Sequence, residues 1–162
     1  MNATKHTRAT ALGLLALATC LLARPAAASL DNPVTRPVLI IEGHMTITVN
    51  PLTGAYTFTD WGWATHTGLY SNSGSAGPGG IDLVTGEFLS GSGVVVAANG
   101  DTVNWEIGTT PNTVVYTGGT GIFQGVTGGF TATVTSVTPL SFNPDGTITL
   151  AITYTGSGTI IY

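Results

Sequence analysis

The chain has 162 residues, of which 43% are apolar and only 7% charged, with 23 glycines, one cysteine and a formal charge of −4. So many β-branched and aromatic residues exclude a disordered chain, and their spread in short alternating runs excludes a bundle of membrane-spanning helices. Four basic residues cannot neutralise a phosphate backbone, which excludes nucleic acid as a partner.

Residues 1–28 have the pattern of an export signal. Lys5, His6 and Arg8 supply a basic start, Ala9 to Ala23 an apolar stretch, and Ala26-Ala27-Ala28 small residues for cleavage before Ser29. An alternative is a lipoprotein box at Leu17-Ala18-Thr19-Cys20, which would leave the chain anchored through Cys20. Either way the product is exported, to the periplasm or the outside of the cell. Beyond residue 28, Arg36 is the one Lys or Arg and faces all eight carboxylates, so acidic membrane surfaces are not expected partners. Cleavage before Ser29 also removes the cysteine, and with it any disulfide, zinc knuckle or thiol nucleophile. The remaining chain, about 134 residues, is long enough to stand on its own core.

From residue 29 the chain carries 25 threonines, a residue whose branched Cβ suits a pleated sheet better than a helix. Residues 29–37 read as an arm, and 38–162 as one domain. Alternation with a period of two predicts strands over 38–49, 55–60, 63–71, 87–98, 102–108, 113–117, 130–138 and 147–161. Met45, Ile47 and Val49 alternate with threonines, as do Tyr56 and Phe58. Ile148, Leu150, Ile152 and Tyr154 do the same near the end. The polar stretch 71–81 reads as a loop. Turn signals separate the runs at Asn50-Pro51, Asp82 to Gly86, Asn99-Gly100-Asp101 and Asn143-Pro144-Asp145-Gly146. An open sheet with so little charge would expose two sticky edges. The expected fold is therefore all-β, an antiparallel up-and-down barrel of about eight strands, with a β-sandwich as the alternative.

The segment Gly118-Gly119-Thr120-Gly121-Ile122-Phe123-Gln124-Gly125-Val126-Thr127-Gly128 resembles the GGTG-x-F-x-G-x-x-G signature of allene oxide cyclase-like and dirigent-like barrels. Ala64-Thr65-His66-Thr67-Gly68, Ala97 to Asp101 and Asp145-Gly146-Thr147 are similar to a bacterial exported branch of that group. The resemblance spans roughly residues 60–162. It implies an eight-stranded barrel, often trimeric, whose relatives guide cyclisation or radical coupling of apolar molecules without a cofactor. No catalytic acid or arginine of those relatives is carried over, because Arg36 lies in the arm.

The glycines of 118–129 serve a tight corner and not a phosphate cradle, since no Gly-Lys-Ser/Thr and no helix follow. Glu42 and His44 stand two apart on one strand face and, with His66, are candidates for proton transfer. The same three side chains are also of a kind that binds a metal ion, but a surface or structural role or proton transfer is the expectation here. If Met45 and Ile47 point inward, Glu42 and His44 point outward, unless Gly43 is a bulge that flips the phase. His66, flanked by Trp61, Trp63 and Tyr70, is the better site candidate, although a histidine bonded only to backbone gives the same pattern. Tyr56, Tyr70, Trp61, Trp63 and Trp105 are the candidate ligand-contacting aromatics. Asp82, Asp101 and Asp145 read as turn residues, and Glu106 matters only if Asn104 takes the place of Trp105 in the lumen. No cofactor or metal is expected. Three functions remain: a cofactor-independent cyclase or isomerase, a carrier of a small apolar ligand, and a non-catalytic structural or surface protein. The uncharged strand exteriors also predict a homo-oligomer, trimer or dimer.

Overall fold

A computed structural model describes residues 33–162. The expected export signal over residues 1–28, with Cys20, and residues 29–32 of the expected arm lie outside the described residues. Eight strands follow in order: β1 Thr35–Val49, β2 Tyr56–Ala64, β3 Gly68–Ala76, β4 Ser92–Val96, β5 Thr102–Ile107, β6 Thr113–Gly119, β7 Thr127–Phe142 and β8 Ile148–Ile161. Each pairs antiparallel with the next and β8 returns to β1, so the sheet closes into an up-and-down barrel. The sandwich is thereby excluded.

Alternation decides what fills the barrel. On β2, Tyr56, Phe58 and Asp60 are buried while Thr57, Thr59, Trp61 and Trp63 are exposed. On β5, Val103 and Trp105 point in, which leaves Asn104 and Glu106 on the outside. Strand β1 carries a bulge at Ile41, between Ile40 and Glu42. Val38 and Ile40 are buried before it, Gly43, Ile47 and Val49 after it. The extra residue thus shifts the phase and keeps Glu42 out of the lumen.

Two apolar clusters stop the ends. Ile81 and Phe88, joined by a single antiparallel bridge, pack with Val49, Tyr56 and Phe58. Phe123 and Val126, from the turn between β6 and β7, pack with Val38, Val103 and Ile160. The glycine-rich corner is structural, as its chemistry suggested. Gly121 takes a positive φ beside the Asp101 carboxylate, which accepts a hydrogen bond from the Ile122 N–H at 3.1 Å. Asp82 and Asp145 likewise accept backbone N–H bonds within their own turns, which hold both carboxyls below the usual range.

Several boundaries differ from expectation. Thr35–Pro37, read as arm, pair with Thr159–Ile161. β2 runs through Trp61 and Gly62 to Ala64, so the turn falls at Thr65–Thr67, where strand 63–71 was expected. Residues 71–76, read as loop, are the far half of β3. Their serines face out, and the small inward Asn72, Gly74 and Ala76 leave room for aromatics from neighbouring strands. Only Ser92–Val96 of 87–98 is strand, because 77–91 closes the barrel end. β7 extends to Phe142, yet β6 pairs with it only from Gly129 to Thr131. Beyond Ala132 the edge of β7 that faces β6 has no strand partner.

Gly128 has φ +100°, and a Cβ there would press on the Thr159 carbonyl oxygen. Gly128→Ala is expected to destabilise the barrel by about 1–3 kcal/mol, read as a lowered midpoint of urea unfolding.

Candidate functional site

The lumen holds a cavity of about 90 Å³ with an almost wholly apolar wall. Its polar lining includes Tyr70, Asn72, Trp105, Tyr116, Tyr154 and His66. Tyr70 and Asn72 come from β3, Trp105 from β5, Tyr116 from β6 and Tyr154 from β8, all in the inward phase, and His66 comes from the β2–β3 turn.

Asp60 organises most of them. It is buried to 4% exposure, the one residue of a charged type buried among the described residues. Its Oδ2 accepts a hydrogen bond of 2.5 Å from the Tyr154 hydroxyl and another of 3.2 Å from Asn72 Nδ2. The Tyr70 and Tyr154 hydroxyls lie 3.0 Å apart, and Trp105 Nε1 donates to Asn72 Oδ1 at 3.0 Å. Asp60 Oδ1 is buried without a hydrogen-bond partner among the described residues.

Local sequence makes this seat. Gly43 pairs with Gly62 across β1 and β2. A Cβ at Gly43 would overlap the Tyr154 ring, and one at Gly62 would sit 2.7 Å from the Tyr70 oxygen. Bare backbone therefore lets two tyrosines lean over the strands and bring their hydroxyls together beside Asp60.

Burial pushes the Asp60 carboxyl up to about 6, against the opposing pull of Tyr154, Asn72 and the more distant His44. Burial and the adjacent carboxylate drive Tyr154 far upward, and Tyr70 rises for the same two reasons. Both phenols thus keep their protons throughout the range in which Asp60 titrates. A carboxyl poised near neutrality and hydrogen-bonded to Tyr154, which lines the cavity and touches Tyr70, can set how those phenols face a ligand.

The expected site residues divide. Tyr56, Tyr70 and Trp105 are buried and line the cavity. Trp61 and Trp63 are 54% and 55% exposed and stand outside the barrel, because β2 continues unbroken and Asp60 takes the inward phase. They cannot meet a ligand in the lumen. His44 stacks on Trp61 on that outer face, ring centroids 4.3 Å apart, with its Nε2 3.2 Å from Glu42 Oε1. Glu42 and His44 are therefore removed from the cavity, and His66 does not join them. His66 sits in the β2–β3 turn, where Nε2 donates to the Pro37 carbonyl at 2.8 Å and Nδ1 accepts from the Tyr162 hydroxyl at 3.1 Å. Both ring nitrogens are occupied in pinning the turn to the first and last strands. Among the described residues no group of three His, Cys, Asp or Glu side chains is placed to hold a metal ion.

Asp60, Asn72 and Tyr154 were not singled out from the sequence. The signal was present in the alternation Tyr56, Phe58, Asp60, which puts the carboxylate on the aromatic face. Comparison of the chain with family models, curated proteins and solved structures returns no match to any of them.

Because the folded pKa of Asp60 lies above the unfolded 3.8, the folded protein holds this proton more tightly. Its contribution to stability is full below the unfolded value and is lost as pH rises through about 6. Asp60→Asn removes the penalty, so its stability relative to wild type should improve by about 2 kcal/mol between pH 4 and 7.5, measured by urea unfolding at both. A difference that does not change with pH overturns the assignment.

Proposed function

We propose that the protein is an exported barrel that binds one small apolar molecule in its lumen and carries it, the ligand's single polar group meeting the Asp60–Tyr154–Tyr70 cluster. The observation that carries this reading is a buried carboxylate at the end of a hydrogen-bonded phenol chain beside an aromatic-walled cavity. A barrel interior built for stability alone would be apolar throughout, since desolvating a carboxylate costs several kcal/mol. The resemblance of residues 118–128 to the cyclase-like and dirigent-like barrels supports a lumen that receives apolar molecules. Native mass spectrometry of protein taken from its own host is expected to show an added small mass. Ala132→Leu, at a residue that lines the cavity, should remove it. A wild type without bound mass, or a variant that keeps it, counts against the reading.

A second reading, cofactor-independent isomerisation or cyclisation in the same lumen, is favoured by the carboxyl poised at about 6. The two readings separate at one variant. Asp60→Asn abolishes turnover while retaining bound ligand if the barrel is an enzyme, and it has no turnover to lose if the barrel is a carrier.

Self-association is proposed on the outer face of β1–β3. Leu39, Ile41, Trp61, Trp63 and Leu69 are each about half exposed or more on adjacent strands. Leaving that much apolar surface in water is costly, and a dimer or trimer covers it. Light scattering at micromolar concentration should give a multiple of the protomer mass, falling on Trp61→Ser with Trp63→Ser; a strict wild-type monomer overturns it.

A further inference from the structure

The hydrogen bonds around Asp60 have only one consistent direction. The Trp105 indole can only donate, so its bond to Asn72 fixes the amide with Oδ1 toward Trp105 and Nδ2 toward Asp60. Asp60 Oδ2 must then accept from Asn72, and at the same atom it accepts from the Tyr154 hydroxyl. Tyr154 has committed its only proton to Asp60. At 3.0 Å the Tyr70–Tyr154 contact is attractive only if Tyr70 donates and the Tyr154 oxygen accepts. Tyr70 has then committed its only proton as well. What remains of it for the cavity it lines is lone-pair density.

This order belongs to the ionised carboxylate, which can only accept, and it therefore holds above about pH 6. The indole fixes the Asn72 amide, and the carboxylate fixes the two phenols.

Resting on the lumen-binding reading above, we infer that the ligand presents a hydroxyl to Tyr70, and that the lumen selects an alcohol or phenol over the ketone or aldehyde of the same skeleton. A hydroxyl donates to the Tyr70 oxygen and keeps a lone pair for Tyr116, the other phenol in the cavity wall. A carbonyl oxygen facing Tyr70 would set lone pair against lone pair and leave a buried acceptor unsatisfied. A site built to hydrogen-bond a hydroxyl discriminates strongly against an analogue that lacks it. The cavity, at about 90 Å³, is smaller than the roughly 150 Å³ of a void that takes benzene, so the resting lumen suits a group of four or five heavy atoms.

2-Butanol and butanone share a carbon skeleton of that size. Titrating each into the protein at pH 7.5, with the Trp105 indole N–H resonance as the reporter beside the cavity, should show the alcohol binding at least about threefold more tightly. Tyr70→Phe should weaken the alcohol and erase the preference. Tyr154→Phe releases the Tyr70 proton into the cavity, and the preference should move toward the ketone. Thermal unfolding confirms that each variant is folded, and Tyr70→Phe, which leaves the Asp60 bonds intact, carries the test alone if Tyr154→Phe is not. Butanone binding as tightly as 2-butanol to the wild type overturns the inference while leaving a binding lumen. Lumen resonances unmoved by either probe take down the binding reading and this inference with it.

Discussion

The hydrogen bond from Tyr154 to Asp60 joins β8 to β2 across β1, and the interior is arranged around it. For it to form, β1 must offer no side chain where the tyrosine crosses, and Gly43 meets that need. Gly43 faces inward only because the bulge at Ile41 shifts the phase of the strand. The bulge sets Ile41 and Glu42 together on the outer face, so that Val38 and Ile40 before it and Gly43, Ile47 and Val49 after it all face in. Asp60 stays the one buried carboxylate among the described residues.

Closure supplies the low dielectric that gives this acid its character. The end clusters around Phe123 and around Phe88 flank the polar seat, Asp60 is itself buried, and the wall of the cavity is aromatic and aliphatic. The same carboxyl in a turn behaves in the opposite way. Asp82 and Asp145 sit in solvent, accept local N–H bonds and are held below the usual carboxylate range, whereas Asp60 is raised. Residue type alone predicts nothing here. Strand phase decides which aspartate is a turn cap and which is a buried acid.

That dependence on phase explains what was legible in the sequence. Where large apolar residues alternate with smaller or polar ones, as in Met45–Val49, Val103–Ile107 and Ile148–Tyr154, strand and inward face both follow from the pattern. The glycine corner and the turn aspartates follow from backbone chemistry. The half of β3 after Tyr70 is different, because serine, asparagine and glycine carry no strand signal of their own. Those residues are strand because β2 and β4 pair with them and because small inward side chains are what a barrel filled by Phe58 and Trp105 requires there. Trp61-Gly62-Trp63 misled for a related reason. Two tryptophans suggest an interior, and a glycine between them suggests a break. The strand instead runs through, with Gly62 as part of the floor under Tyr70. Asp60 was readable by continuing the Tyr56–Phe58 alternation one step further. His66 carried the sequence signal of a site but not its substance, since both its nitrogens bond to neighbouring chain.

Energetics separate a structural cluster from a functional one. The bonds of His66 and Tyr162 fasten the β2–β3 turn to the chain end, and those of Asn112 hold Phe88 in its plug; in each case local architecture accounts for the polar atoms. Asp60 has no such account. Among the described residues two side-chain donors serve Oδ2 and no side chain serves Oδ1, the backbone N–H of Trp61 adding only the weakest of the opposing pulls, so that burial outweighs what these bonds return. A leucine or methionine would pack the same space at lower cost. Trp105 through Asn72, and Tyr70 through Tyr154, nevertheless converge on that carboxylate as two branches of donors, and Tyr70 also lines the cavity. The proposed binding role would account for such a polar cluster in an otherwise oily space, where packing alone does not.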